Sequence, residues 1–216
     1  MDEVPSAPIG PVSPTEEVGG PRRGGEPGRR PVILDLGCGN LRHPGSIGVD
    51  ILPHAEGVDV VADITRGLPF ADNSVDGVYM VHVLEHISDL VGFMEELWRV
   101  CRPNGWVSIR GPHASSSFTT WSDPTHVRGL TLETFRYLEE GHPYGYYTKV
   151  RFKVAKGRLD LLARSTGHTR RLPLRLLAGL ADRLANYSQR AQTRCERWWG
   201  PLVGIEEFHV VLRAVK

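Results

Sequence analysis

The residues best suited to chemistry begin with a glycine turn that follows a short apolar run. The run Val32–Leu36 carries Asp35 and leads into Gly37-Cys38-Gly39, a pattern that predicts a buried strand ending in a turn. Gly37 can adopt the positive φ of such a turn, and Gly39 lets a ligand approach the backbone with no Cβ in its way. Because open α/β folds bind ligands at this edge of the sheet, the turn predicts a binding site.

A nicotinamide dinucleotide fits this turn poorly. Its fingerprint needs a third glycine where this chain has Arg42, and a helix whose N-terminus holds the pyrophosphate. Pro44-Gly45 breaks any long helix after the turn. The sequence therefore disfavours a dinucleotide-dependent dehydrogenase.

Two further acids follow the next two predicted strands. Asp50 lies near the end of the run Ser46–Ile51, and Asp63 follows the run Val58–Ala62. A carboxylate at Asp50 can accept hydrogen bonds from both ribose hydroxyls of a nucleoside, and Asp63 can hold an adenine amino group. Each acid alone can instead serve in a turn or a helix cap. Three carboxylates at adjacent strand ends are hard to explain by packing, because isolated buried charges are costly.

A histidine motif raises a second kind of chemistry. His82-Val83-Leu84-Glu85-His86 matches the H-x-x-E-H pattern of inverted zinc peptidases, in which both histidines bind zinc and the glutamate activates water. That pattern needs both imidazoles on one face of a helix, whereas His82 directly follows a predicted strand. Zinc hydrolysis therefore remains a minor alternative, and the sequence assigns no residue to a metal.

The polar stretch from Gly111 to Gly129 and the histidines around it are candidates for acid–base chemistry. Long loops in compact domains are usually functional, and histidine can take a proton near neutral pH. Asp123 and His126 can act as orienter and base if the loop brings them together. Each histidine can instead be a surface or structural residue. The candidate catalytic residues are His126, Asp123, His86 and His113, with His142 as a further candidate.

The elements that must position these residues alternate along the chain. Val75–Val81 predicts a strong strand, and Ser88 or Asp89 can cap a helix whose apolar residues recur at spacings of three and four up to Val100. This alternation predicts an α/β fold, a Rossmann-like, doubly wound sheet of seven strands with the last strand antiparallel. The other predicted elements are strands at Trp106–Ile109, Tyr147–Val154 and Phe208–Val215 and a helix at Thr131–Leu138.

Three segments make up the predicted domain organisation. Residues 1–30 contain six prolines and six glycines with few large apolar residues, so we expect a disordered tail. Residues 31–216 form one domain. Within it, residues 157–203 predict a helical insertion before the final strand, which can act as a lid over the acceptor or as a homodimer contact.

Composition excludes several classes of protein. The 216 residues carry a net charge of +1, which disfavours a nucleic-acid partner, although residues 150–216 contain 14 basic and 5 acidic residues. No apolar run approaches the ~20 residues of a membrane helix, so we expect no membrane partner. The three widely spaced cysteines favour a reducing compartment, and we expect a cytoplasmic protein.

A series of short motifs runs from residue 31 to about residue 110. They are Asp35-Leu36-Gly37-Cys38-Gly39-Asn40, Gly48-Val49-Asp50, Ala62-Asp63-Ile64, Leu68-Pro69-Phe70 with Asp76, His82-Val83-Leu84-Glu85-His86, and Arg99-Val100-Cys101-Arg102-Pro103-Asn104-Gly105. Together they resemble the successive motifs of class I S-adenosylmethionine-dependent methyltransferases, most nearly the type 11 group. The block Asp123–Arg128 also resembles a loop found in one bacterial subgroup.

The resemblance implies a role for each matched residue. Asp35 and the glycine turn should face the methionine part of S-adenosylmethionine, and Asp50 the ribose. Asp63 with Ile64 should frame the adenine. The chain departs from the family pattern at Leu41, where a further glycine is common, and in a first helix that is nearly absent. The predicted cofactor-binding residues are Asp35, Gly37, Cys38, Gly39, Asp50, Ile51, Asp63, Ile64, Val81 and His82.

The activity implied by the resemblance is methyl transfer to a small-molecule acceptor, with a hydroxyl of a sugar or specialised metabolite as the favoured acceptor. Transfer to nitrogen or carbon, including on a macromolecule, is an alternative. A regulator that binds the cofactor without catalysis is an alternative of another class.

Overall fold

The computed structural model describes residues 29–161 and 172–216 of the chain. The predicted tail falls almost entirely on residues 1–28, which lie outside the described residues. Seven strands form one sheet. Their bounds are Ile33–Leu36 (β1), Ile47–Asp50 (β2), Val60–Val61 (β3), Val75–Val81 (β4), Cys101–Pro112 (β5), Arg151–Asp160 (β6) and Glu207–Val215 (β7).

The strand order across the sheet is β3-β2-β1-β4-β5-β7-β6. Strands β1 to β5 pair in parallel, and β7 runs antiparallel to both β5 and β6. Since β6 is antiparallel to β7, it runs in the same direction as β1 to β5. The prediction of six parallel strands and an antiparallel last strand is therefore confirmed. The order reverses between β1 and β4, and open α/β sheets bind ligands at such a switch point.

Helix α1 (Leu90–Val100) follows β4 and covers the sheet. The Asp89 side chain caps it by accepting a hydrogen bond from the Gly92 N–H at 2.9 Å, as its position predicts. Burial of each large apolar side chain on its inner face contributes about 1.5–3 kcal/mol. The inner face consists of Phe93, Met94, Leu97 and Val100.

The connection from β1 to β2 contains no helix, as the sequence predicts. Residues 37–46 form turns instead. In the next connection, Asp59 accepts a hydrogen bond from the Gly48 N–H at 2.9 Å and pairs with Arg42. The backbone of Gly57 passes so close to Gly48 that a Cβ at Gly48 would overlap the Gly57 carbonyl oxygen. These contacts fix the chain beside the glycine turn.

The connection from β5 to β6 contains two short helices, α2 (Ser117–Trp121) and α3 (Leu132–Arg136). Strand β6 begins at Arg151 and ends at Asp160. The expected start of this strand at Tyr147 is wrong, because Tyr147 ends a 3-10 turn. The strand also continues four residues into the segment 157–203 that the sequence predicts as helical, because β7 pairs with β6 as far as Asp160.

The helical segment before β7 consists of α4 (Leu172–Ala185), α5 (Gln189–Arg194), a π-helical turn (Cys195–Trp199) and α6 (Gly200–Val203). It packs on α3 and β6. Several large apolar side chains of this segment stay exposed, namely Leu180, Leu184, Tyr187, Trp198, Trp199 and Leu202. Within residues 29–161 and 172–216, no helix combines the length and apolarity that a bilayer span needs.

His209 on β7 makes the stability of this sheet depend on pH. Burial lowers its pKa from 6.5 to about 4, and positive neighbours add to the effect, while Ser108 Oγ lies 2.9 Å from its Nε2. The folded chain therefore keeps His209 neutral at a pH where the unfolded chain protonates it. The charged groups that act on it are Lys156, Arg110, Asp160 and Arg158, of which only Asp160 favours the charged form.

We expect the free energy of unfolding to fall by about 1–3 kcal/mol through His209 as the pH drops from about 6.5 towards 4. Urea unfolding of the wild type and of His209→Gln at a series of pH values measures this. The free energy of unfolding of the variant should decline less steeply, since the variant lacks the titrating imidazole of residue 209. Parallel declines for the two proteins would contradict the assignment.

Candidate functional site

The glycine turn after β1 leaves open space at its tip. Gly37 and Gly39 have φ values of 69° and 50°, which favour glycine. The Gly37 N–H donates to the Val49 carbonyl oxygen at 2.8 Å, and a Cβ on Gly37 would lie 2.5 Å from a methyl group of Val83. A Cβ on Gly39 would meet no described atom within 4 Å. The turn is therefore fixed on its inner side and accessible on its outer side.

Asp50 joins this turn to the end of β2. Its Oδ2 accepts a hydrogen bond from the Gly39 N–H at 2.8 Å, and its Oδ1 accepts one from the Leu52 N–H at 3.0 Å. The residue is only 9% exposed. Each carboxylate oxygen can accept more than one hydrogen bond, so Asp50 keeps acceptor capacity for a ligand at the turn.

Asp35 fixes the loop that replaces the missing first helix. Its Oδ2 accepts a hydrogen bond from the His43 N–H at 2.7 Å, and the imidazole Nδ1 of His43 lies 3.3 Å away. The His43 ring stacks on Tyr79 with 4.0 Å between ring centroids. Asp35 is buried, so the structure gives it a clear role in holding the turn, and its contact with a ligand stays a prediction.

Asp63 caps the 3-10 turn Ile64–Arg66. Its Oδ1 accepts hydrogen bonds from the Thr65 N–H at 3.0 Å and from the Thr65 hydroxyl at 2.6 Å. These bonds hold the pKa of the Asp63 carboxyl below its usual value. The capping role that the sequence left open is therefore present, and the adenine contact of Asp63 and Ile64 stays a prediction.

Two predicted cofactor residues at this edge differ sharply in exposure. Ile51 is 61% exposed directly after β2, where its side chain can lie against a planar ring. Cys38 is buried and its Sγ donates to the Gly57 carbonyl oxygen at 3.4 Å. Burial raises the pKa of the Cys38 thiol to about 11, so this thiol is no nucleophile at neutral pH.

His82 follows Val81 at the end of β4 and has a positive φ of 55°. Its Nε2 lies 3.2 Å from Glu207 Oε1, and its Nδ1 lies 3.2 Å from Glu85 Oε1. These two carboxylates raise the pKa of His82 to about 9. His82 is therefore a cation that joins the end of β4 to the start of β7.

The loop after α2 brings most of the candidate catalytic residues together. His126 Nδ1 lies 2.7 Å from the Thr120 carbonyl oxygen, and its ring is 4.7 Å from that of His86 in an edge-on arrangement. Asp123 Oδ2 is 3.9 Å from His126 Nε2, which is too long for a hydrogen bond. Asp123 Oδ1 instead accepts from the Thr125 hydroxyl at 2.6 Å. The Asp123/His126 pair is thus adjacent without being bonded.

His113 is set apart from this group because it is only 2% exposed. Its Nδ1 accepts a hydrogen bond from the Ser115 N–H at 3.1 Å, and its Nε2 lies 3.1 Å from Glu196 Oε1. Glu196 also accepts from the Leu132 N–H at 2.6 Å. These contacts attach the inserted helices to the sheet, so the geometry favours a structural role for His113.

His142 lies in another part of the chain, in the turn before the 3-10 segment Gly145–Tyr147. Its Nδ1 accepts a hydrogen bond from the Tyr144 N–H at 3.3 Å, and its ring is 5.1 Å from that of Tyr137. The structure shows no contact between His142 and the loop that holds His126 among the described residues. A catalytic role for His142 stays a prediction without structural support.

Sequence reasoning missed Glu207 as a site residue. It is the first residue of β7, it bonds to His82, and it pairs with Arg110 on β5. No local pattern marks it, because only the antiparallel pairing of β7 with β5 brings it to this edge. Glu85 had a signal in the histidine motif, where sequence reasoning gave it only the role of a zinc peptidase base.

Comparison with known proteins finds similarity to methyltransferases. Residues 34–109 match a family model described as a methyltransferase domain. A demethylmenaquinone methyltransferase from Beutenbergia cavernae is 33% identical over 129 residues, which cover 52% of this chain and 51% of that protein. The chain therefore spans about half the length of this curated relative.

A solved structure shares the fold. It is a SAM dependent methyltransferase from Archaeoglobus fulgidus, which superposes with a TM-score of 0.50 at 18% identity over 85% of this chain and 86% of that one. The seven-stranded architecture expected from the sequence is confirmed by this likeness.

Proposed function

We propose that the protein is an enzyme that transfers a methyl group from S-adenosylmethionine to a small-molecule acceptor, since residues 34–109 match a family model described as a methyltransferase domain. The observation that carries this proposal is the junction of Gly39 and Asp50. The Asp50 carboxylate is held against an open glycine turn at the carboxyl ends of two adjacent parallel strands. An adenosyl ligand needs such an arrangement, with an acid for the ribose and bare backbone for the methionine end.

The cofactor in this proposal extends across the ends of β1, β2 and β3. Its methionine end lies at the turn Gly37–Gly39, and its ribose hydroxyls donate to Asp50. Its adenine lies between the exposed Ile51 and the segment Asp63–Ile64. The support is the parallel register of these strands, which places their carboxyl ends side by side.

The proposed reaction needs little covalent chemistry from the chain. The sulfonium is already an electrophile, so the protein must align acceptor, methyl carbon and sulfur and exclude water. We place the acceptor beside the loop that carries His126. Its Nδ1–H donates to the Thr120 carbonyl, which leaves Nε2 with a lone pair that can accept the proton of an acceptor hydroxyl.

A carbon acceptor is the second candidate. It is favoured by the relative named as a demethylmenaquinone methyltransferase, and the exposed side chains of Phe118 and Trp121 on α2, next to the loop that carries His126, suit an apolar acceptor. A hydroxyl acceptor predicts a loss of turnover when His126 is removed. An apolar ring acceptor predicts activity on quinols instead of sugars.

The proposal also includes the cellular location of the enzyme. Cys38, Cys101 and Cys195 are buried free thiols, which suits a reducing cytoplasm.

The exposed apolar side chains of the inserted helices can cover the acceptor or form a homodimer. We favour a homodimer contact, because Trp198 and Trp199 are both largely exposed and tryptophan is enriched in protein interfaces.

Isothermal titration with S-adenosylhomocysteine tests the cofactor. We expect one site per chain with micromolar or tighter affinity, and methyl transfer from labelled S-adenosylmethionine to a member of a panel of hydroxylated metabolites and quinols. Absence of binding heat would refute the proposal. Binding without transfer to any acceptor of the panel would instead favour a cofactor-binding regulator.

A further inference from the structure

Three side chains from two separate segments converge beside the ends of β4 and β5. Glu85 and His86 lie in the 3-10 turn Leu84–His86, and His126 lies in the loop after α2. One nitrogen or oxygen atom from each of the three lies within 4.8 Å of the others. Two imidazoles and a carboxylate are ligands that bind divalent transition metals in proteins.

Glu85 has one buried carboxylate oxygen without a partner. The residue is 1% exposed, its Oε1 lies 3.2 Å from His82 Nδ1, and its buried Oε2 has no hydrogen-bond partner among the described residues. A Cβ at Gly111 on β5 would lie only 3.4 Å from Oε2. A buried carboxylate oxygen without a partner is costly, and a bound cation would remove that cost.

The histidines are oriented by their own partners. Because the Nδ1–H of His126 donates to the Thr120 carbonyl at 2.7 Å, its lone pair lies on Nε2. A carbonyl that accepts from the far ring nitrogen is the usual outer partner of a metal-binding histidine. His86 contacts the Thr125 hydroxyl through Nδ1 at 3.0 Å, and this side chain is exposed, so its ring can turn.

We propose that Glu85, His86 and His126 bind one divalent transition-metal ion. Ligand atoms on a single zinc ion at about 2.0–2.2 Å lie about 3–3.5 Å apart, whereas these atoms lie within 4.8 Å of one another. Metal binding therefore requires a small adjustment, which the exposed His86 ring has the freedom to make. Three protein ligands leave coordination positions open for water or an acceptor oxygen. The test of this binding does not depend on methyl transfer, although the site shares His126 Nε2 with the proton transfer proposed above.

The proposed ligand set differs from the zinc peptidase pattern in the sequence. That pattern uses His82 and His86 with Glu85 as the base, whereas here His82 bonds to Glu85 and Glu207. The third residue comes from position 126, which the sequence motif does not contain. If methyl transfer is the activity, an acceptor oxygen bound to the ion would take the place of proton removal by His126.

Zinc binding to the full-length chain tests the proposal. After treatment with a chelator and its removal, the chain is titrated with Zn²⁺ in competition with a chromophoric chelator. We expect one tight site per chain. His126→Ala and Glu85→Gln should each weaken it by on the order of 100-fold, at least the effect of losing an outer partner. His54→Ala is the matched control, because His54 is exposed and lies outside the cluster.

Two further readouts make the result decisive. Binding of Co²⁺ should give d–d absorption bands that His126→Ala lacks and His54→Ala keeps. Circular dichroism and thermal unfolding show whether each variant is folded, and His86→Ala replaces Glu85→Gln if that variant does not fold. The metal site would be overturned if zinc binds with no defined number of ions per chain. It would also be overturned if zinc binds with equal affinity to His126→Ala and His54→Ala. If the wild type binds zinc but does not bind S-adenosylhomocysteine, only the proposed function is overturned.

Discussion

Replacement of Asp50 by alanine is expected to lower the affinity for S-adenosylhomocysteine by about 10- to 100-fold, because the two charge-assisted hydrogen bonds that we propose to the ribose are lost. The same change removes the acceptor of the Gly39 N–H, so the turn that we propose for the methionine end also loses its support. Both effects act in the same direction. Isothermal titration of the wild type and the variant measures the difference.

Asp72→Ala is the control for this experiment. Asp72 is exposed and pairs with Arg99 before β4 begins, at the opposite edge of the sheet from the proposed ligand contacts. This substitution should change the affinity by about twofold or less, as is typical of surface substitutions. If Asp50→Ala binds as tightly as the wild type, Asp50 is not a ribose ligand.

Gly48→Ala is expected to destabilise the fold by about 3 kcal/mol or more, since overpacking of this severity forces the backbone apart. The added methyl group would overlap the carbonyl oxygen of Gly57 and approach Cys38 Sγ at 2.9 Å. A backbone carbonyl cannot rotate away as a side chain can. The strand β2 and the turn before it would both shift, so the variant should lose cofactor affinity together with stability.

Gly179→Ala provides the comparison, because a Cβ there meets no described atom within 4 Å and Gly179 lies inside α4. Alanine is favoured over glycine in a helix by about 1 kcal/mol, so this variant should be as stable as the wild type or more so. Chemical unfolding followed by circular dichroism measures both variants. Equal midpoints for Gly48→Ala and the wild type would show that β2 and the loop at Gly57 are not packed as described.

The elements of the first half of the domain were predictable because their signals are local. Strand Val75–Val81 has the predicted bounds, and α1 begins after the Asp89 cap and ends at Val100, since caps and apolar spacing act within a few turns of helix. The approach of Asp50 to Gly39 was also predictable in outline. Adjacent parallel strands that each end in such residues must bring them to the same edge.

The second half was harder to predict because strand pairing overrides local pattern there. The segment Gly157–Asp160 has no strong strand signal, yet it extends β6 because β7 offers partners along its full length. Tyr147 has the aromatic character typical of a strand, yet it lies in a 3-10 turn. The predicted bounds were wrong where the partner strand, and not the residue types, determined the backbone.

The sequence by itself determined the sheet, the glycine turn and the acids at the strand ends. Only the tertiary structure decided which histidines have structural roles and which lie together. His113 pairs with Glu196 across 83 positions, His82 meets Glu207 at the start of β7, and His126 joins Glu85 beside β4. No periodicity of the sequence encodes these side-chain contacts, because they depend on how loops and inserted helices pack on the sheet.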